Sequence, residues 1–229
     1  FTSFFPVGND IYYPVISKVD FIAYYPYQLS LTDYCFDVDM SNQSVPEGIN
    51  VLYAHEDNEN GYDKKSGTVN LKFKHLMSKL SFVLIPGKGL SETDLIDLEV
   101  RISSFFSAAT VNLKQGDATA NGSVTDIILN TAVDGQSGSA IIAPQTVHDS
   151  RLIVELSNGD RFEWEFPPPS EFVAGKNHQY KITVSKTGIE LSNSGITDWT
   201  GTGDPPVTGG FQRGYKVGDY YPDPNAVYE

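Results

Sequence analysis

Cysteine is almost absent: Cys35 stands alone in 229 residues, so no intrachain disulfide can form. A eukaryotic secreted chain of this length would be expected to carry paired cysteines, whereas cysteine avoidance suits a bacterial envelope protein. Composition alone leaves a cytosolic chain open. Basic residues are also scarce, 16 against 29 acidic ones, for a formal net charge of -13. Such a surface repels a phosphate backbone, which argues against nucleic acid as a partner and disfavours anionic membrane. No run approaches the roughly 20 consecutive apolar residues that a membrane-spanning helix needs. A signal peptide is lacking too, since Phe1-Thr-Ser-Phe-Phe5 has neither a basic flank nor a small-residue cleavage site. The chain has no initiating Met and opens inside what reads as a β region. We therefore expect a processed or cut chain with N-terminal strands missing.

Motifs for chemistry are missing as well. His55, His75, His148 and His178 lie far from one another and from Cys35, so no zinc-ligand spacing occurs. In the polar stretch His55–Asp63, alternate oxygen donors fall at Glu56, Asn58 and Asn60, followed by Gly61. The twelfth position counted from Glu56 is Gly67, where a calcium loop of the EF-hand type needs a bidentate Glu, and no helices flank the stretch. It reads as a solvated loop. No Gly-x-Ser-x-Gly elbow is present, and Cys35 has no basic neighbour in sequence to lower its pKa. Two facing carboxylates could make a glycosidase, a separation that sequence cannot display. No catalytic residue, cofactor or metal ligand is assigned, and a non-enzymatic protein is expected.

What the chain does hold is aromatic residues and turn formers. Tyr and Phe occur 13 times each, Gly 20 times and Pro 13 times. Flat side chains favour pleated surfaces, and the Gly and Pro supply breaks at short intervals. Val69, Leu71 and Phe73 alternate with Asn70, Lys72 and Lys74, the period-two signature of a strand with one wet face. That strand is expected from Thr68 to Ile85, with a bend or bulge where the pattern shifts at His75–Leu80. Val19–Pro26, Leu95–Ile102 and Tyr180–Val184 read as further strands, and Tyr34, Phe36 and Val38 could share a face of another. Leu152–Leu156 and Arg161–Phe166 flank Asn158-Gly159, which favours a tight primed hairpin turn. Gln115–Ser123 reads as loop. Ser91–Asp94 allows one helical turn at most. The expectation is an all-β, antiparallel fold with Greek-key-like connections.

After Trp199 the composition changes. Residues 200–210 are rich in Gly, Thr and Pro, as linkers are, and Tyr215–Pro224 is aromatic and turn-rich. Two aromatic clusters stand out, Tyr24-Tyr25-Pro26-Tyr27 and Tyr220-Tyr221. They could stack on sugars or form a protein interface. Alternation of strand faces favours core packing for part of the first cluster.

An ordered set of segments resembles the fimbrillin family of Bacteroidetes-type bacteria. The carriers are Val19–Tyr27, Val51–Ala54, Val69–Leu80, Pro144–Thr146, Phe172–Lys176, Tyr180–Val184 and Ile196–Trp199. The resemblance implies two transthyretin-like β-sandwich domains: residues 1–66 as the remainder of the first, incomplete at its N-terminus, and 67–200 as the second. It also implies export as a lipoprotein, display at the outer membrane on or as a pilus, and pairing with other pilin subunits by donor-strand exchange. A membrane would be met only through an N-terminal lipid anchor absent from this chain. Residues 201–229 are then a linker followed by a donor strand or the start of a further domain. Tyr215, Val217, Tyr220 and Tyr221 are the candidate donor or interface residues. Adhesion to a host or bacterial surface protein or glycan is expected. The alternative is a carbohydrate-binding or nutrient-capture surface protein built on the same sandwiches.

Overall fold

The computed structural model describes residues 13–199. In chain order the strands begin with β1 (Phe21–Tyr25), β2 (Cys35–Asp39), β3 (Leu52–Glu56), β4 (Lys74–His75) and β5 (Ser78–Pro86). Next come β6 (Glu99–Asn112), β7 (Asp117–Ile128), β8 (Asn130–Thr131), β9 (Ser137–Ile142) and β10 (Gln145–Val147). The last are β11 (Arg151–Glu155), β12 (Arg161–Glu165), β13 (Ser170–Phe172), β14 (Lys176–Ser185) and β15 (Gly188–Asp198). Helix is confined, among the described residues, to α1 (Pro46–Ile49) and a 3-10 turn at Glu92–Leu95. Ser91 and Asp94 close that turn with a capping box, so the single helical turn expected there is present. The fold is all-β.

Two larger sheets face each other. One runs β12-β11-β6-β2 with β7 along the other side of β6, and the second runs β15-β14-β5-β9-β8. A smaller sheet, β1-β3-β4, and the pair β10-β13 complete the set. One pair departs from the antiparallel expectation: β14 lies parallel to β5, from Asn177↔Lys79 to Val184↔Pro86. Parallel neighbours need a long crossover, and here it consists of β6 through β13.

β6 organises the interior because it is long enough to serve two cores. Its Val100, Ile102 and Phe105 enter one core with Leu80, Phe82 and Leu84 of β5 and Leu152 and Val154 of β11. Its Ala109 and Val111 enter a second core with Phe36, Val38, Val51, Tyr53, Leu76 and Met77. The sheet containing β5 is therefore buried on both faces at one end: Ala140 and Ile142 of β9 face the first core, Ile141 and Ala143 the second. An aromatic group fixes the first core, with Phe105 edge-on to Phe172 at 5.2 Å and to Phe166 at 6.1 Å between centroids. Trp164 meets Phe166 at 4.9 Å. Such edge-to-face pairs suit the aromatic quadrupole and add to the stability given by burial.

Four local readings change, the first being the loop expected over Gln115–Ser123, most of which lies in β7, paired along β6. The turn between β11 and β12 is a three-residue one. Gly159 N–H donates to Leu156 O, Leu156 N–H donates to Asp160 O, and only Gly159 takes a positive φ, +90°. That is a type I turn closed by a glycine bulge. Tyr34 is half-exposed with φ +65°, in the turn before β2 and off the face shared by Phe36 and Val38. The expected strand from Thr68 divides: residues 67–73 carry no strand pairing, β4 is two residues long, and a bend at Leu76-Met77 precedes β5.

Candidate assembly interface

The last described residues are held in place by several contacts. β15 pairs with β14 down to Lys176↔Asp198, and those two side chains form an ion pair. Trp199 N–H then donates to the Gly175 carbonyl at 2.7 Å. The indole stacks on His75, with 3.9 Å between ring centroids and 6° between planes. His75 Nδ1 lies 2.7 Å from Asn50 Oδ1. Burial, aided by the nearby Lys79 charge, lowers the His75 pKa to about 4, so the stacked ring is neutral at ordinary pH. Residues 200–229, among them Tyr215, Val217, Tyr220 and Tyr221, lie outside the described residues.

Two long strands leave one edge unpaired among the described residues. β15 pairs only with β14 and presents eleven residues along its outer side, with Ile196 63% exposed. β7 pairs only with β6 and exposes Val124 and Ile128. Both edges are irregular. β15 slips register opposite Lys181/Ile182, and β7 slips twice along β6. Bulges of this kind limit indiscriminate edge-to-edge pairing.

A third opening lies between β3 and the residues before β4. Their ladder ends at Tyr53↔Lys74, while β1 follows β3 on to Phe21↔Glu56. Beyond Lys74 the two segments splay around a groove of about 300 Å³ lined by Tyr53, Ala54, His55, Lys72, Lys74, Lys114 and Gln115. Lys74 Nζ sits 5.5 Å from the Tyr53 ring centroid, and Lys114 Nζ 4.8 Å from that of Tyr34. Gly116, at φ +68°, lets the β6–β7 turn press on Tyr53: a Cβ there would stand 2.4 Å from Cε1. Sequence reading missed this groove. Its signal was the Lys-x-Lys spacing at 72 and 74 in an otherwise acidic chain.

The remaining candidates are structural in their contacts. His178 packs by Phe172 at 4.9 Å and accepts the Val173 N–H at Nε2, while burial lowers its pKa to about 4. His55 and His148 are exposed, and Cys35 opens β2. In the His55–Asp63 loop, Glu56 accepts the Asn58 N–H and Asp57 the Glu59 N–H, so these carboxylates fold back on their own backbone. In the first aromatic cluster Tyr24 packs against Phe36 and the second core, while Tyr27 is exposed.

Fold and openings together define an all-β scaffold with unpaired strand edges among the described residues. The sequence pattern of the fimbrillin-like family matches residues 1–199, and the chain belongs to that family. Over 218 residues it is 35% identical to a candidate fimbrium subunit, Fim1C, of Bacteroides uniformis, covering 90% of this chain and 69% of that protein. It is similar to the crystal structure of a candidate cell adhesion protein from Bacteroides uniformis, with TM-score 0.73 and 33% identity, over 83% of this chain and 77% of that one. A candidate cell adhesion protein from Bacteroides ovatus shares the fold, with TM-score 0.67 and 20% identity over 86% and 74% of the two chains.

Proposed function

We propose that the protein is a cell-surface fimbrial subunit or fimbria-associated tip or accessory adhesin that joins other subunits by donor-strand exchange. The observation that carries this reading is the relationship to a candidate fimbrium subunit and a candidate cell adhesion protein at one-third identity across most of the chain. The contacts that hold Trp199 in place support strand donation by the residues that follow. A short Gly- and Pro-rich linker leads to Tyr215, Val217 and Tyr221, whose even spacing would put them on one face of an extended donor. Main-chain hydrogen bonds would supply the affinity and that face the register. The same reading has two transthyretin-like sandwiches, residues 1–66 and 67–200, although the second core draws side chains from both sides of that boundary, Phe36 to Tyr53 and Leu76 to Ala143. Export as a lipoprotein precursor belongs to the same reading. Immunogold labelling of the producing cells with antibody raised to residues 13–199 tests it. Label along surface fimbriae or at their tips is the expected result, and label confined to the cell interior would sink the reading.

A further inference from the structure

The segment before β4 has the sequence of a strand, the burial of a strand and no ladder. Val69, Leu71 and Phe73 are half-buried, while Thr68, Asn70, Lys72 and Lys74 are exposed. Among the described residues, residues 67–73 make no backbone hydrogen bond. Opposite them β3 runs three residues, Ala54 to Glu56, past the end of its pairing at Tyr53. Leu76 N–H donates to Val51 O, so by strand alternation Val51, Tyr53 and His55 turn their polar backbone groups toward this side. The result is a fork with one open edge on each prong.

The fork also has a charge. Lys72, Lys74 and Lys114 converge on it in a chain of net charge -13, and among the described residues none of the three takes part in an ion pair. Tyr53 and Tyr34 lie under two of the ammonium groups, which limits their wandering and lowers the entropy lost on pairing. We propose that the fork between β3 and residues 68–74 is a docking slot for an extended segment of another protein chain in which acidic and apolar residues alternate. The backbone of the segment pairs with the open edges, its carboxylates face Lys72, Lys74 and Lys114, and its apolar residues lie on the side of Val69, Leu71 and Phe73. The Tyr215–Tyr221 segment of this chain does not fit that chemistry, because the face opposite Tyr215, Val217 and Tyr221 would carry Lys216, Gly218 and Tyr220 and no carboxylate. The slot is therefore a contact additional to strand donation by the tail.

The test uses the full chain and a blocked heptapeptide alternating glutamate and valine, followed by fluorescence anisotropy and by amide exchange. Binding should weaken with added salt, slow exchange at residues 69–73, and fall about tenfold or more in K72E/K74E and in K114E. The charge-conserving K72R/K74R variant should retain it. These lysines are exposed, so the variants keep their fold, and a thermal melt verifies it. Absence of binding overturns the proposal, as does equal binding of a lysine–valine peptide or indifference to the charge reversals. A sulfated oligosaccharide that binds where the peptide fails would also overturn it, in favour of a glycan site. Deletion of residues 201–229 should leave peptide binding unchanged, and loss of binding on that deletion counts against a separate slot.

Discussion

The indole of Trp199 lies flat on the imidazole of His75, with 3.9 Å between ring centroids. The pair joins Trp199, the last described residue, to the edge of the second core, where His75 also meets Asn50. Replacing Trp199 by Ala removes the stack and uncovers the imidazole. The expected cost is about 1–3 kcal/mol from lost burial and ring contact. Urea unfolding measures that cost. A histidine NMR titration should show the His75 pKa rising from about 4 toward its ordinary value.

Acid sensitivity follows from two histidines. Burial lowers the pKa of both His75 and His178 to about 4, against an ordinary value near 6.5. Between those values the unfolded chain takes up protons that the folded chain refuses. Both contributions are complete above about pH 6.5 and are lost as pH falls toward 4. Asp94, held down mainly by the Ser91 hydroxyl, and Asp39, held down mainly by the Ser41 N–H, add a further loss at still lower pH. Melting temperature against pH should therefore decline from about pH 6.5. In H75Q/H178Q that first decline should flatten, whatever the variant's absolute stability.

The aromatic group of the first core makes Phe105 the costliest side chain there to truncate. It is fully buried on the central strand and touches both Phe166 and Phe172. Phe105→Ala should destabilise by about 3–5 kcal/mol in equilibrium unfolding. A value under 1 kcal/mol would contradict the packing described.

Two glycines with positive φ should respond differently to alanine. Gly159, at φ +90°, has open space where a Cβ would go, so only backbone strain of about 1–2 kcal/mol is expected. At Gly135, φ +70°, a Cβ would lie 1.6 Å from the Leu95 carbonyl oxygen. There the displaced 3-10 turn and Leu98 should add about 1–3 kcal/mol more. Paired chemical denaturation of the two variants checks the difference.

Strands with one buried face were legible because alternation is a direct record of burial. Arg161–Phe166, read as a strand, forms β12 with Phe162 and Trp164 packed on the first core and Arg161, Glu163 and Glu165 exposed. β7 was read as loop over Gln115–Ser123 because its residues are polar on both faces. It is an edge strand held by the β6 ladder, and that pairing leaves no apolar period in sequence. The segment at 68–73 shows the reverse: alternation predicts a strand, and the partner that would make it one is absent from the described residues. The parallel contact of β5 with β14 joins residues almost one hundred positions apart, beyond the reach of any local pattern. The lysine groove was hidden for a similar reason, since Lys114 comes to it from the β6–β7 turn.

The central claim is assembly through the C-terminal segment, and one gel tests it most directly. The full-length protein, after limited proteolysis at its N-terminus, is run unheated and heated in SDS beside the same protein lacking residues 201–229. The account predicts an SDS-resistant, heat-sensitive ladder for the first and a monomer for the second. A ladder that survives the deletion, or a full-length protein that stays monomeric, would contradict strand donation by the tail.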